Sequence, residues 1–225
     1  MVKDKKKCAV LFSGGKDSCL ALHKSRDKYD IKYLLAIIPE NFDSFMFHKP
    51  YLSLLEKQAE MLDIDLIIKS IKGEEDKEVD DLKELIKEIK DDVEVIVVGG
   101  IASSYQGNRI KKICDELGLE FSAPLWNYKD EMVWDELFEE GFKVILTKVS
   151  CDGLGKEWLG VEIDKEKFND LKNLSKKYQF RIDFEGGEAE SAVLNMPGFE
   201  KEIEIEFDIK SEGEYRHFID KLEIL

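Results

Sequence analysis

Hydrophobic positions in the first half of the chain fall into short unbroken runs separated by stretches that alternate at helical spacing. Residues 8–12, Cys-Ala-Val-Leu-Phe, are apolar until they meet Ser13-Gly14-Gly15-Lys16-Asp17-Ser18, and apolar residues then resume at Cys19-Leu20-Ala21-Leu22. This pattern predicts a strand, a tight loop and the start of a helix. Residues 33–38 form a second apolar run stopped by Pro39, as in a strand buried on both faces. Helix 51–62, strand 66–68, helix 79–90, strand 93–98 and helix 104–117 follow, then helix 131–140 and strand 142–149. Such β-α alternation predicts a parallel sheet wrapped by helices, with ligands at the carboxyl ends of its strands. Gly14-Gly15, Ile38 and Gly99-Gly100 all lie at such ends, so three strand ends are expected to converge on one crevice.

The texture changes near residue 150. Cys151-Asp152-Gly153-Leu154-Gly155 is turn-rich, 165–177 has the spacing of an amphipathic helix, and Glu185-Gly186-Gly187-Glu188 is an acidic glycine turn. Residues 202–209 alternate strictly between Glu or Asp and apolar side chains, which predicts a half-exposed, antiparallel strand. The expected organisation is a Rossmann-like α/β domain over 1–150 and a smaller α+β part over 151–225 that closes its site.

Composition narrows the class. A chain of 225 residues holds one large domain or one domain with an appendage, without needing a metal or disulfide staple. Its four cysteines, Cys8, Cys19, Cys114 and Cys151, have no C-x-x-C spacing and suit reduced, buried thiols. The charged N-terminus leads straight into the first strand and leaves no room for a signal-peptide core or a membrane span, so a soluble, cytoplasmic protein is expected. A formal charge of −15 argues against nonspecific nucleic-acid binding. The acid lies beside lysine along the helices, as in ion-paired, solvated faces, and this balance leans toward a thermophile source.

The loop carries the densest chemistry. Paired glycines let backbone N–H groups approach an anion, the following helix points its positive end at the same place, and Lys16 adds full charge. Ser13 and Ser18 add hydroxyl donors. The spacing does not fit G-x-x-x-x-G-K-[ST], and no G-x-G-x-x-G is present. Asp17 beside a polyphosphate makes sense as a ligand to Mg²⁺, or else as a cap of the first helix. Ser104, Tyr105, Gln106 and Arg109 open the helix after Gly99-Gly100, either facing the crevice or serving as cap and solvated face. His48, in Phe45-Met46-Phe47-His48, stands either where substrate lies or in a structural role, whereas His23 and His217 read as structural. Glu185, Glu188 and Glu190 gather three carboxylates about two glycines. Such a cluster is costly unless something positive comes near, and a plain hairpin turn is the other reading.

Ser-Gly-Gly-Lys-Asp-Ser resembles the loop of the PP-loop ATP pyrophosphatases, which split ATP to AMP and pyrophosphate. Together with Ser44–His48, Ile101–Gln106 through Arg109 to Pro124-Leu125-Trp126, Trp158-Leu159-Gly160, the Glu-Gly-Gly-Glu turn and Leu194–Phe199, the chain resembles the diphthine ammonia ligase family over nearly its whole length. The resemblance implies a fold of the adenine nucleotide alpha hydrolase (HUP) type and ATP with Mg²⁺. It also implies amidation of diphthine on translation elongation factor 2 by free ammonium, through an acyl adenylate.

By that resemblance ATP is bound by Ser13, Gly14, Gly15, Lys16, Asp17, Ser18, Ile38, Gly99 and Gly100, and the metal by Asp17. The substrate is bound by His48, Ser104, Tyr105, Gln106, Arg109 and Glu185, and Lys16, Asp17, Glu188 and Glu190 are catalytic. A homodimer is the candidate assembly. Gly107 and Val161 stand where the family commonly carries arginine, and Ala189-Glu190-Ser191 stands where an aromatic residue, Glu and Thr are usual. A ligase for another carboxylate and a nonenzymatic adenine-nucleotide module remain as alternatives. A tRNA-thiolating relative would need a cysteine pair and a basic surface.

Overall fold

The unbroken apolar runs become strands covered by helices, because a strand buried on both faces has no polar side to present. The computed structural model describes residues 4–39, 51–71, 75–100 and 104–225. In it β1 (Lys6–Leu11), β2 (Tyr29–Pro39), β3 (Asp65–Ile71), β4 (Val95–Val97) and β5 (Glu120–Ser122) form a parallel sheet in the order β3-β2-β1-β4-β5. Helices α1 (Lys16–Ser25), α2 (Leu52–Leu62), α3 (Glu75–Ile89) and α4 (Ser104–Leu117) alternate with these strands along the chain. The expected Rossmann-like α/β class is therefore the observed one. Strand β5, only three residues long, is too short to show a period and escapes the sequence pattern.

Leu82, Leu85, Ile86 and Ile89 recur at one face of α3, and with Ile110, Ile113 and Cys114 of α4 they pack against Ala9, Leu35, Ile37 and Ile96. This apolar layer supplies the main driving force for the parallel half.

A second sheet is antiparallel in the order β7-β6-β9-β8, from β6 (Lys143–Val149), β7 (Ala189–Asn195), β8 (Ile205–Glu212) and β9 (Arg216–Ile224). Helices α5 (Asp130–Glu139) and α6 (Lys165–Tyr178) belong to the same half. Two expectations are corrected here. The strand expected to complete the parallel sheet at 142–149 is β6, which lies between β7 and β9 in the second sheet, and residue 150 falls inside the second compact unit rather than at its start. An unbroken apolar run marks a buried strand in either kind of sheet, so periodicity could not assign it.

One compact unit comprises Met1–Ser13, Asp17–Pro50 and Leu62–Asn127, and the other Gly14–Lys16, Tyr51–Met61 and Tyr128–Leu225. At the centre of the second unit Trp134 is fully buried, with its ring 5.3 Å from that of Phe168, 6.0 Å from Phe138 and 6.1 Å from Phe184. Its indole N–H donates to the Ile182 carbonyl at 2.9 Å. Among the described residues no helix is long and apolar enough to cross a membrane.

Leu82 is fully buried and Ile209 is 42% exposed. Urea denaturation is expected to show Leu82→Ala losing about 2–5 kcal/mol of stability, against less than about 0.5 kcal/mol for Ile209→Ala.

Candidate active site

In the strand order β2-β1-β4 the three expected strand ends are neighbours, and the sheet reverses its winding between β1 and β4, where doubly wound folds bind ligands. The Phe12 N–H donates to the Leu35 carbonyl at 2.8 Å, after which the chain leaves the sheet. Gly14 then takes a positive φ of 73°, a turn open to glycine at no steric cost. Ser18 Oγ accepts the Ser13 N–H at 3.3 Å and lies 3.1 Å from Ser13 Oγ, which ties the start of α1 back to the strand end. Gly99 secures the neighbouring end. A Cβ there would stand 2.7 Å from the backbone of Asp17 and Ser18, so the strand end approaches the helix start at a distance that admits no side chain. Gly100 faces open space, and Ile38 is half-buried near the end of β2.

Lys16 is only 2% exposed. Its backbone N–H donates to Ser191 Oγ at 3.2 Å and its ammonium to the Asp183 carbonyl at 2.7 Å. The ammonium also lies 6.0 Å from the Trp134 ring centre and 5.8 Å from that of Phe184, within reach of cation–π attraction. Asp183 is itself buried. Its carboxylate accepts Nε of Arg181 at 2.9 Å, a second guanidinium nitrogen of the same residue, and the Glu185 N–H at 3.0 Å. Burial pushes this carboxyl up, but the Arg181 bonds, the Glu185 N–H and the charge of Lys16 together outweigh it and hold it below the usual range.

Glu188 and Glu190 of the acidic segment have protein donors. Glu188 accepts the Arg181 N–H at 3.1 Å on one oxygen and the Gly186 N–H at 2.9 Å on the other, while Glu190 accepts the Lys148 ammonium at 2.7 Å. Glu185 and Glu188 are half-buried, and the Glu190 side chain is 18% exposed. The electrostatic cost expected from three carboxylates is thus offset by Arg181, Lys148 and backbone donors. Sequence reading missed these partners because they lie outside the glycine turn itself.

Ser104, Tyr105 and Gln106 form the first turn of α4 and Arg109 follows, half-buried, on the same helix. At Gly107, where the resemblance leads one to expect arginine, a Cβ would stand 3.1 Å from the Trp126 ring. His48 lies outside the described residues. His217 Nδ1 is 2.7 Å from Ser211 Oγ on the neighbouring strand. Burial pushes the Cys8 and Cys114 thiols up to about 12 and raises Cys19 as well. Cys151 is raised to about 11 by burial and by the charges of Glu188 and Asp152.

The Diphthamide synthase N-terminal domain family matches residues 6–121, and the Diphthamide synthase C-terminal domain family matches residues 129–223. The chain belongs to the diphthamide synthase family. The two matched segments are separated by residues 122–128, which run from the end of β5 toward α5. The diphthine–ammonia ligase of Mus musculus is 32% identical over 221 residues, covering 88% of this chain and 82% of that protein. The diphthine–ammonia ligase of Schizosaccharomyces pombe is 33% identical over 212 residues, covering 86% of this chain, which therefore spans only 35% of that longer relative. A solved structure from Methanocaldococcus jannaschii DSM, described as "predicted subunit of tRNA methyltransferase", aligns with a TM-score of 0.43 at 18% identity, over 88% of this chain and 100% of that one.

The structure adds Arg181, Asp183, Ser191, Trp134, Phe184 and Gln58 to the surroundings of the loop. Gln58 had a readable signal, since it interrupts the apolar stripe Leu54, Leu55, Ala59, Leu62 of α2 and is fully buried.

Asp183 titrates lower when folded than its ordinary value of 3.8, so its stabilising contribution is complete above that value and fades as pH falls through the depressed folded value. The gap in unfolding free energy between wild type and Asp183→Asn is therefore expected to be constant near neutrality and to narrow below about pH 4. Urea titrations across an acid series measure it.

Proposed function

We propose that this chain is a diphthine–ammonia ligase that amidates the diphthine carboxylate of translation elongation factor 2, using ATP and free ammonium. The observation that carries the reading is the Ser13–Ser18 loop at the switch point of a sheet whose chain matches both diphthamide synthase domains. The ATP phosphates lie on the loop N–H groups, the positive end of α1, and the hydroxyls of Ser13 and Ser18, with Lys16 as the counter-charge. Ile38, Gly99 and Gly100 line the nucleotide side. Ser104, Tyr105, Gln106, Arg109, His48 and Glu185 serve the substrate.

A diphthine carboxylate oxygen attacks the α-phosphorus, the bond from that phosphorus to the β-phosphate oxygen breaks, and pyrophosphate leaves. Ammonia nitrogen then attacks the acyl carbon and AMP departs with the oxygen that bridged acyl group and phosphorus. The nitrogen sheds a proton to a carboxylate base, a role assigned to Glu188 or Glu190. Catalysis here is positioning plus electrostatic stabilisation at the transferring phosphorus.

Among the described residues no cluster of three or more His, Cys, Asp or Glu side chains could hold a metal. That fits Mg²⁺, which takes one or two carboxylates and completes its shell with phosphate oxygens and water. Asp17 would hold it, and when bound it would neutralise phosphate charge. A sulfur-transfer reading is disfavoured, because thiols pushed to about 11 or 12 supply little nucleophilic thiolate near neutral pH.

The deciding assay mixes the protein with ATP, ammonium and diphthine-bearing elongation factor 2, and follows the mass change of the amide together with AMP. In it, Lys16→Ala is expected to weaken ATP binding by about 1.5–3 kcal/mol, read by calorimetry. ATP affinity equal to wild type would remove Lys16 from the phosphates. Glu188→Gln and Glu190→Gln are expected to bind ATP near-normally yet form the amide at least about a hundredfold more slowly in single-turnover experiments. Wild-type rates in both would reduce the turn to scaffolding.

A further inference from the structure

Strand β7 is an edge of the second sheet, with β6 on one side only. An edge strand presents a row of unpaired backbone groups, and those of Val193 are taken up from outside the sheet. The Val193 N–H donates to the Gly14 carbonyl at 3.0 Å, and the Val193 carbonyl accepts Nε2 of Gln58 at 2.7 Å. The same Nε2 donates to the Gly14 carbonyl at 3.0 Å. Both contacts of the amide nitrogen are carbonyl oxygens, which can only accept, so the orientation of the Gln58 amide is fixed by chemistry. Gln58 therefore stands in for a missing peptide of the neighbouring strand, and both lone pairs of the Gly14 carbonyl are engaged.

A trans peptide is planar, with its C=O and N–H on opposite sides. No cis peptide occurs among the described residues. Holding the Gly14 carbonyl against β7 therefore turns the Gly15 N–H to the opposite side. The position is tightly built: a Cβ on Gly14 would stand 2.3 Å from Oε1 of Gln58 and 2.9 Å from Leu55. That Oε1 is buried and accepts no hydrogen bond among the described residues, a desolvation cost that the fold carries to keep the amide in this pose.

We propose that Gln58 is a positioning residue for the phosphate loop, fixing the peptide plane between Gly14 and Gly15 so that its N–H is aimed at the ATP phosphates. The inference rests on the reading of this loop as the ATP site. Gln58 touches no reacting atom, and its effect passes through the Gly14 carbonyl.

Two substitutions test it. Gln58→Leu keeps the bulk and removes the donor, and its KM for ATP is expected to rise at least about tenfold while the KM for ammonium stays at the wild-type value. Gln58→Glu sets a carboxyl against two carbonyl oxygens, where only its protonated form donates. Its KM for ATP is expected to fall toward wild type as pH is lowered from about 8 to about 6, relative to the wild-type profile measured in parallel. A merely structural role would lower kcat through the folded fraction without moving either KM, and that result would overturn the proposal. So would a KM for ATP within about twofold of wild type in Gln58→Leu, or a Gln58→Glu profile parallel to wild type. The Gln58→Glu series decides the matter if Gln58→Leu does not fold. Absence of ATP binding by the wild type, or full binding by Lys16→Ala, would instead overturn the ATP reading on which the inference stands, and the two failures are told apart by those controls.

Discussion

The hydrogen bond from the Val193 N–H to the Gly14 carbonyl is the constraint on which the candidate site turns. It attaches a loop that follows β1 in the chain to a strand 179 positions later, and Ser191 repeats the attachment through the Lys16 N–H. Glycine at 14 supplies the positive φ that brings the carbonyl round, and Gln58 occupies its second lone pair. Backbone groups of the loop are thereby set by parts of the chain that no local pattern around residues 13–18 contains.

Lys16 shows the same dependence at the side-chain level. A buried ammonium needs acceptors and polarisable neighbours, since losing its hydration is costly. The Asp183 carbonyl, the Trp134 and Phe184 rings and the Asp183 charge fulfil that need, and Arg181 with the Glu185 N–H keeps Asp183 ionised in turn. The acidic glycine turn thus reads less as a patch of excess charge than as the end of a relay of pairings running from Arg181 to the loop.

The parallel half was largely legible in the sequence. Apart from the short β5, its strands contain apolar runs, its helices have clear 3.6-residue spacing, and helix 104–117 matches α4 residue for residue. The site's skeleton was legible for the same reason, because the glycine pairs fall at strand ends. What escaped was set by long-range contact. β6 is as apolar as an inner parallel strand and β9, Arg-His-Phe-Ile-Asp-Lys-Leu-Glu-Ile, is too polar to announce itself, so only pairing with β7 and β8 places them. Arg181 and Asp183 carry no motif, and Gln58 shows only as a polar break in an apolar stripe, so their meaning appears when the Gly14 and Lys16 partners are known.

The two edges of the antiparallel sheet are protected in different ways. At β7 the backbone groups of Val193 are taken up by Gly14 and Gln58, whereas β8 has β9 as its single strand neighbour among the described residues. Along β8 the exposed side chains include Glu206, Asp208, Lys210 and Glu212, three acids to one base. Their mutual repulsion with an approaching copy of the same strand discourages edge-to-edge pairing, the route by which open sheets polymerise. Part of the chain's acidity is therefore a guard against aggregation, and its strength varies with the ionic strength of the medium, because exposed charges are screened by salt.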